Sequence, residues 1–286
     1  MKKVVLLFVL FVMVVFVSCD KVKKPYVVAR EVVECDAPPF PVLDNVIQKY
    51  LLEDYTGHTC TNCPKAHGII ANDLSFMGDT LVVIAIHAGY NAEPEPGNGF
   101  FADYRTDAGN AYNSTFKINS YPSGMINRLF FNNNQIVPYS NWKNTLAGIP
   151  RKHANIGIQI MTEENGEKTC IFVKTTLLDG VLENLRLCVL LTEDSIISPQ
   201  KFPGQDDFGN PIIDTNYVHN HVLRASIAPV WGDDIDISAK DESVINGYSI
   251  LLGGQGWRKE HCHVVAFIYN LDNYEILQAE SVKLVR

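Results

Sequence analysis

No apolar run in the sequence is long enough to cross a membrane as a helix. The longest, Val4 to Val17, holds fourteen residues against the ~20 a bilayer requires, and the MKK before it makes it a signal peptide. Basic residues are also scarce, with 24 Lys and Arg against 32 Asp and Glu. The leader removes Lys2 and Lys3, leaving 22 basic residues against 32 acidic ones in the mature chain. That balance excludes nucleic acid as a partner, because phosphate binding needs a basic surface. There is no internal repeat and no low-complexity tract, and no helical pattern follows GGQGW, residues 253–257, so that segment is not a nucleotide-binding loop. A second CxxC is missing as well, which leaves the one present without a partner to complete a tetrahedral zinc set.

What is present is a chain of 286 residues, 47% apolar, enough for one large core or two ordinary ones, and the length favours two domains. The leader ends in Phe16-Val17-Ser18-Cys19, which resembles the lipobox of bacterial lipoproteins, with Phe16 in place of the usual leucine. Cys19 is then the lipidated N-terminus, and a multiply acylated cysteine anchors stably where one chain would not; the alternative is an ordinary cleaved signal. DKVKK after Cys19 reads as a solvated tether. Export places the chain in an oxidising compartment, where paired thiols are as readily disulfides as metal ligands. Besides Cys19 and the Cys60/Cys63 pair there remain Cys35, Cys170, Cys188 and Cys262, which can pair three ways or not at all. Cys170 and Cys188 lie on consecutive strand-like runs and are read either as a cross-strand disulfide or as two small buried hydrophobes.

From residue 49 the pattern changes. KYLLEDYT is strand-like, CPKAHGIIANDLSF is helical, and LVVIAIHAG, residues 81–89, is the near-continuous apolar run of a buried parallel strand. Residues 90–115 read as a long surface insertion with at most one short helix. FKINSYPSGMINRLFFNNNQIVPY reads as a hairpin about NNN, and SNWKNTLAGIPRK as a closing helix with Ser140 at its N-cap. Beyond residue 153 the helical period is gone, and seven short runs rich in Val, Ile and Leu predict an antiparallel sandwich. SPQKFPGQDDFGNPIIDTN, residues 198–216, is too rich in Pro, Gly and Asp for a strand and reads as an exposed loop.

Strand, CxxC, helix, buried strand, X-Pro at the head of a hairpin, closing helix: this order resembles the thioredoxin arrangement over residues 45–150, with LLEDYTGHTCTNCP and SYPSGMINR in its two diagnostic places. Cysteines at i and i+3 share a helix face and can close a disulfide. Cys60, near the outward-pointing N–H groups of the helix start, is the expected attacking thiolate, and Cys63 the resolving thiol. Pro64 requires that the helix begin late or that its first turn be distorted. Thioredoxins carry a buried carboxylate six residues before the first cysteine, a position held here by Asp54. Glu53 points to the opposite strand face, and one of the two is expected inside with a raised pKa; the alternative is two solvated carboxylates. Tyr121-Pro122 matches the cis X-Pro opposite the disulfide, whose exposed Tyr121 backbone pairs with an extended substrate; the alternative is an ordinary trans turn.

His58 and His67 flank the pair and are read as tuning groups or metal ligands. His219 with His221, and His261 with His263, put two imidazoles on one strand face, more often exposed than metal-binding. TGHTCTNCPKAH, SYPSGMINR and a β-rich C-terminal half with YVHNHVLRASIAP are together similar to outer-membrane lipoproteins of the twenty-eight-kilodalton type found in gut and oral Gram-negative anaerobes. The resemblance implies an outer-membrane or surface location and envelope, receptor or adhesin roles, but not an activity.

The organisation expected is therefore a signal peptide over 1–18, a tether over 19–44, an α/β thioredoxin-like domain over 45–152 and an all-β immunoglobulin-like sandwich domain over 153–286. Two functions fit: a lipid-anchored thiol–disulfide oxidoreductase, or a non-catalytic binding lipoprotein that uses the same domain as a scaffold. The expected partners are protein thiols and disulfides or extracellular protein ligands, with no cofactor and no metal, and a mild preference for the periplasmic face.

Overall fold

All seven residues of β1, Tyr50–Thr56, are buried, although two of them are carboxylates. A strand sends successive side chains to opposite faces, so β1 serves two cores. Tyr50 and Leu52 pack with Ala66, Leu74 and Trp142 on one face, while Leu51 and Tyr55 pack with Ile84, Ile86 and Tyr112 on the other. The coordinates are a computed structural model describing residues 35–180 and 182–285. The signal segment, Cys19 and residues 19–34 of the tether lie outside the described residues.

After β1 come α1 (Cys63–Gly68), β2 (Leu81–His87), α2 (Asp107–Thr115), β3 (Ser123–Ile126), β4 (Val137–Pro138) and α3 (Trp142–Gly148). β2 runs parallel to β1, β3 antiparallel to β1, and β4 antiparallel to β3. The helix after the cysteines starts at Cys63 with Asn62 as its cap, so Pro64 falls in the first turn, where its missing N–H costs no bond. The expected 63–76 helix is α-helical only to Gly68, then continues as a π turn and a 3₁₀ turn. Asn132 and Asn133 both take positive φ at the NNN turn, as a two-residue hairpin loop requires. In α3, Asn141 rather than Ser140 occupies the cap, because a 3₁₀ turn over Tyr139–Asn141 precedes the helix. The surface insertion is deeper than expected. Thr106 caps α2, and Ala108 and Tyr112 enter the core shared with β1 and β2.

The C-terminal half contributes β5 (Ile156–Asn165), β6 (Lys168–Leu177), β7 (Leu185–Glu193), β8 (Ile196–Ile197), β9 (Gln200–Gln205), β10 (Pro211–Asp214), β11 (Val218–His219), β12 (Val222–Ser226), β13 (Asp233–Ile235), β14 (Ser243–Leu251), β15 (Cys262–Asn270) and β16 (Ile276–Lys283). All seven apolar runs are strands. The segment expected as an exposed loop instead contains the β9–β10 hairpin, and Gln200 within it is fully buried.

Strands from both sides of residue 152 share one sheet, in the order β16-β15-β7-β12-β2-β1-β3-β4, with β13 beside β7. β12 joins β2 in parallel at Val222 and Ala85, where Ala85 N donates to His221 O at 2.8 Å. A second sheet, β14-β6-β5, packs Ile158, Ile171 and Val173 against Leu187, Val189, Val264 and Ala266 of the first. The intervening residues Cys188, Leu190, Val265 and Phe267 point away, into the core that holds Leu51, Tyr55 and Tyr112. Cys35 forms a disulfide with Cys170 of β6. Cys188 and Cys262 are free and buried, and burial pushes the Cys188 thiol up to about 12.

A buried ion pair of the N-terminal half is enclosed by aromatic rings from both halves. Arg128, fully buried, donates from Nε and Nη2 to the two Glu53 oxygens at 2.9 and 2.7 Å. Its guanidinium lies 4.8 to 5.6 Å from the rings of Phe116, Tyr112, Phe267 and Tyr269. Removing one partner strands the other charge in a medium that cannot hydrate it, so Glu53→Gln or Arg128→Met should each cost about 3 to 5 kcal/mol. Denaturant unfolding of both single variants and the double variant checks this. The double variant should cost less than the two singles combined.

Candidate functional site

The cysteine pair sits where β1 ends and α1 begins. Cys60 and Cys63 form a disulfide with their Cα atoms 5.4 Å apart. Cys60 is not the helix cap but lies in the preceding turn, its N–H donating to Gly57 O at 3.1 Å. Cys63, the first helical residue, is fully buried. Tyr121-Pro122 is cis. Ser123, the next residue, pairs with Tyr55, so this proline stands at the end of β1 from which the CxxC turn departs. The Tyr121 hydroxyl donates to Asn113 Oδ1 at 2.6 Å, and its ring meets Tyr90 edge-on.

Asp54 and Glu53 part company because they are neighbours on one strand. Glu53, expected as a candidate acid or base, faces α2 and is engaged bidentately by Arg128, away from the cysteines. Asp54 faces α1. It is fully buried, and neither carboxyl oxygen has a hydrogen-bond partner among the described residues. His67, one helical turn after Cys63 on the same face, approaches it with Nε2 3.5 Å from Oδ2. That nitrogen is also 3.0 Å from Thr56 Oγ1, while Nδ1 is 2.7 Å from the Tyr217 hydroxyl.

Burial raises the Asp54 carboxyl from near 4 to about 8. Burial, with His219 and His221 nearby, lowers His67 to about 3. Near neutral pH the pair is therefore a protonated acid beside a neutral imidazole, not a salt bridge. Asp54 lines a cavity of about 60 Å³ with His67, Val83, Ala85, Asn220 and His221, room for one or two waters.

Cys60, the expected attacking thiolate, is only 3% exposed. Two segments close over its turn. On one side Gln200 Nε2 donates to Cys60 O (2.9 Å) and Gly57 O (3.4 Å), and Lys201 N donates to His58 O (2.8 Å). On the other, Thr59 donates from both N and Oγ1 to Asn91 O at 3.0 Å. A Cβ on residue 57 would lie 2.3 Å from that same oxygen, which accounts for Gly57.

His58 stacks on Phe100 and contacts Glu93 O at 2.9 Å. His219 and His221 do not share a strand face. A positive φ at His221 turns the chain, so that His219 is buried against His87, Tyr104 and Tyr217 while His221 turns toward Asp194 at 3.4 Å. His261 and His263 both approach Asp194. Gln200 and Lys201 were not foreseen, since their segment carries only loop-like composition, and Tyr217, which opens the strand-like run YVHNHVLRASIA, carries no local signal of its contact with His67.

The family model described as "Outer membrane protein Omp28" matches residues 109–286, and the chain belongs to that outer-membrane protein family. The matched region holds Tyr121, Pro122 and Tyr217 but begins after the cysteine pair and Asp54. The chain resembles HBP35 of Porphyromonas gingivalis at 19% identity and a TM-score of 0.61, over 84% of this chain and 76% of that one, a likeness of fold. A domain of the outer membrane lipoprotein Omp28 from Porphyromonas gingivalis aligns at 24% identity and a TM-score of 0.31, over 46% and 88% of the two chains. Protein AGR_C_4864 from Agrobacterium tumefaciens aligns at 12% identity and a TM-score of 0.47, over 85% and 96%. No curated protein matches the chain.

Asp54 holds a proton in the folded state that it gives up in the unfolded chain at any pH between about 4 and 8. Stability therefore falls as pH rises across that window, by roughly 1.4 kcal/mol per unit of displacement. Asp54→Asn removes the penalty. Unfolding curves should show the variant more stable than the parent at pH 8, with the gap shrinking as the pH falls toward 4.

Proposed function

We propose that this chain is a thiol–disulfide oxidoreductase of the cell envelope, held at the outer membrane by lipid on Cys19 and facing the periplasm. In this reading residues 45–152 are a thioredoxin-like domain and residues 153–286 an immunoglobulin-like sandwich, edge-joined through β2 and β12. The observation that carries it is Asp54. A static disulfide needs no buried carboxyl on the strand face that meets its helix, and burying one without a counter-charge costs stability, whereas exchange needs a group that takes and returns a proton near neutral pH. The strand order β2-β1-β3-β4 and the cis Tyr121-Pro122 bond support the same reading.

In the reducing direction the Cys60 thiolate attacks one sulfur of a client disulfide, and the client's other sulfur leaves as a thiolate. Asp54 first gives up its own proton, and Cys63 then passes its proton to the resulting carboxylate as its sulfur attacks Cys60. The Cys60–client bond breaks, the client's second thiolate departs, and Cys60–Cys63 is left oxidised. The reverse sequence oxidises a client dithiol. The dithiol is itself the redox agent, so no cofactor enters. The client backbone pairs with Tyr121 beside Pro122, and to reach Cys60 it must displace the contacts of Gln200 and Lys201.

The 3% exposure of Cys60 favours a second reading, in which the disulfide is static and the protein binds envelope or extracellular protein ligands. Insulin reduction and mass-spectrometric trapping separate the two. The oxidoreductase turns over, Cys60→Ser abolishes turnover, and Cys63→Ser accumulates a mixed disulfide on Cys60. No turnover, no trapped adduct and a potential below about −300 mV would establish the binding reading instead.

A further inference from the structure

Asp54 is sealed from bulk water, yet in the proposed reaction it must release one proton for each client reduced. Of the groups around it, His67 and His221 both lead outward, and His67 is the one that approaches the carboxyl. His67 faces Asp54 with Nε2, at 3.5 Å, and the Tyr217 hydroxyl with Nδ1, at 2.7 Å. Tyr217 is half-buried, and it comes from the segment between β10 and β11, far from the cysteines in sequence. Its place is fixed by edge contacts with Phe202 and His219.

Resting on the oxidoreductase reading, we infer that His67 and Tyr217 form the proton path between Asp54 and solvent, so that the C-terminal half supplies the last member of the site's acid–base chain. The transfer balances without an added reagent. Once the 3.5 Å gap between them closes, Asp54 gives its proton to His67 Nε2 as Nδ1 passes its own to the Tyr217 oxygen, and the hydroxyl proton of Tyr217 goes to water. The ring, whose side chain is 18% exposed, returns to its starting tautomer by proton exchange with solvent between turnovers. Because burial keeps His67 neutral, the imidazole passes a proton without storing one. Thr56, 3.0 Å from Nε2, holds the ring in position. His221 also lines the cavity and contacts Asp194, and is the competing exit.

Single-turnover reaction of the reduced protein with glutathione disulfide tests this, with formation and resolution of the mixed disulfide followed separately at pH 7. His67→Gln and Tyr217→Phe should each slow resolution about tenfold or more, leave the first attack by Cys60 unchanged, and recover rate when millimolar imidazole is added to the buffer. Tyr217→Phe keeps the aromatic packing, so it reports on the hydroxyl even if His67→Gln is unstable. Parental resolution rates in both variants, a loss that imidazole does not rescue, or a loss confined to His221→Gln would overturn the path while leaving the oxidoreductase reading intact. A parent protein that forms no mixed disulfide at all would overturn both.

Discussion

Adjacent carboxylates on one buried strand must point in opposite directions, and most of this molecule is arranged around the two different fates that follow. Glu53 is neutralised by the bidentate grip of Arg128 inside a box of four aromatic rings. Asp54 receives no cation and stays protonated at neutral pH. The first fate is structural: it fixes β1 against α2 and β15, and so against both halves of the chain. The second is a cost that stability alone does not explain, located against His67, which lies one helical turn after a buried cysteine.

The C-terminal half is more than an appendage to the cysteine-bearing unit. β12 extends the sheet beyond β2, Gln200 and Lys201 cover the turn that holds Cys60, and Tyr217 reaches His67. The long separation between these residues and the cysteines means that the site is complete only when both halves are folded. A chain with the first 150 residues alone would expose Cys60 and leave Asp54's cavity open on the side that Val218, Asn220 and His221 now line.

Local patterns were legible in the sequence wherever one element decided the outcome. The apolar runs after residue 153 are all strands, the elements around CxxC follow one another in the expected sequence, and the Tyr121-Pro122 bond is cis. Pro64 left two outcomes open, a late start or a distorted first turn, and the helix starts late, at Cys63. Pairings set by tertiary packing were not legible. The Cys35–Cys170 disulfide was one of several open pairings, and Arg128 sits in a stretch that reads only as hairpin. The 198–216 segment has the composition of a loop because most of β9–β10 is exposed, while its single buried polar anchor, Gln200, carries no periodic signal. The closure over Cys60 arose from that same contact and could not be foreseen from either segment alone.

The central claim is that the Asp54 carboxyl belongs to the cysteine pair. Carbon-13 NMR titration of the Asp54 side chain in the oxidised and reduced protein tests it most directly. A carboxyl that titrates near 8 when Cys60–Cys63 is closed, and at a different pH once reduction places a titrating thiol beside it, is the predicted result. Titration near the ordinary value of about 4 in both states would contradict the account and leave the disulfide a structural staple.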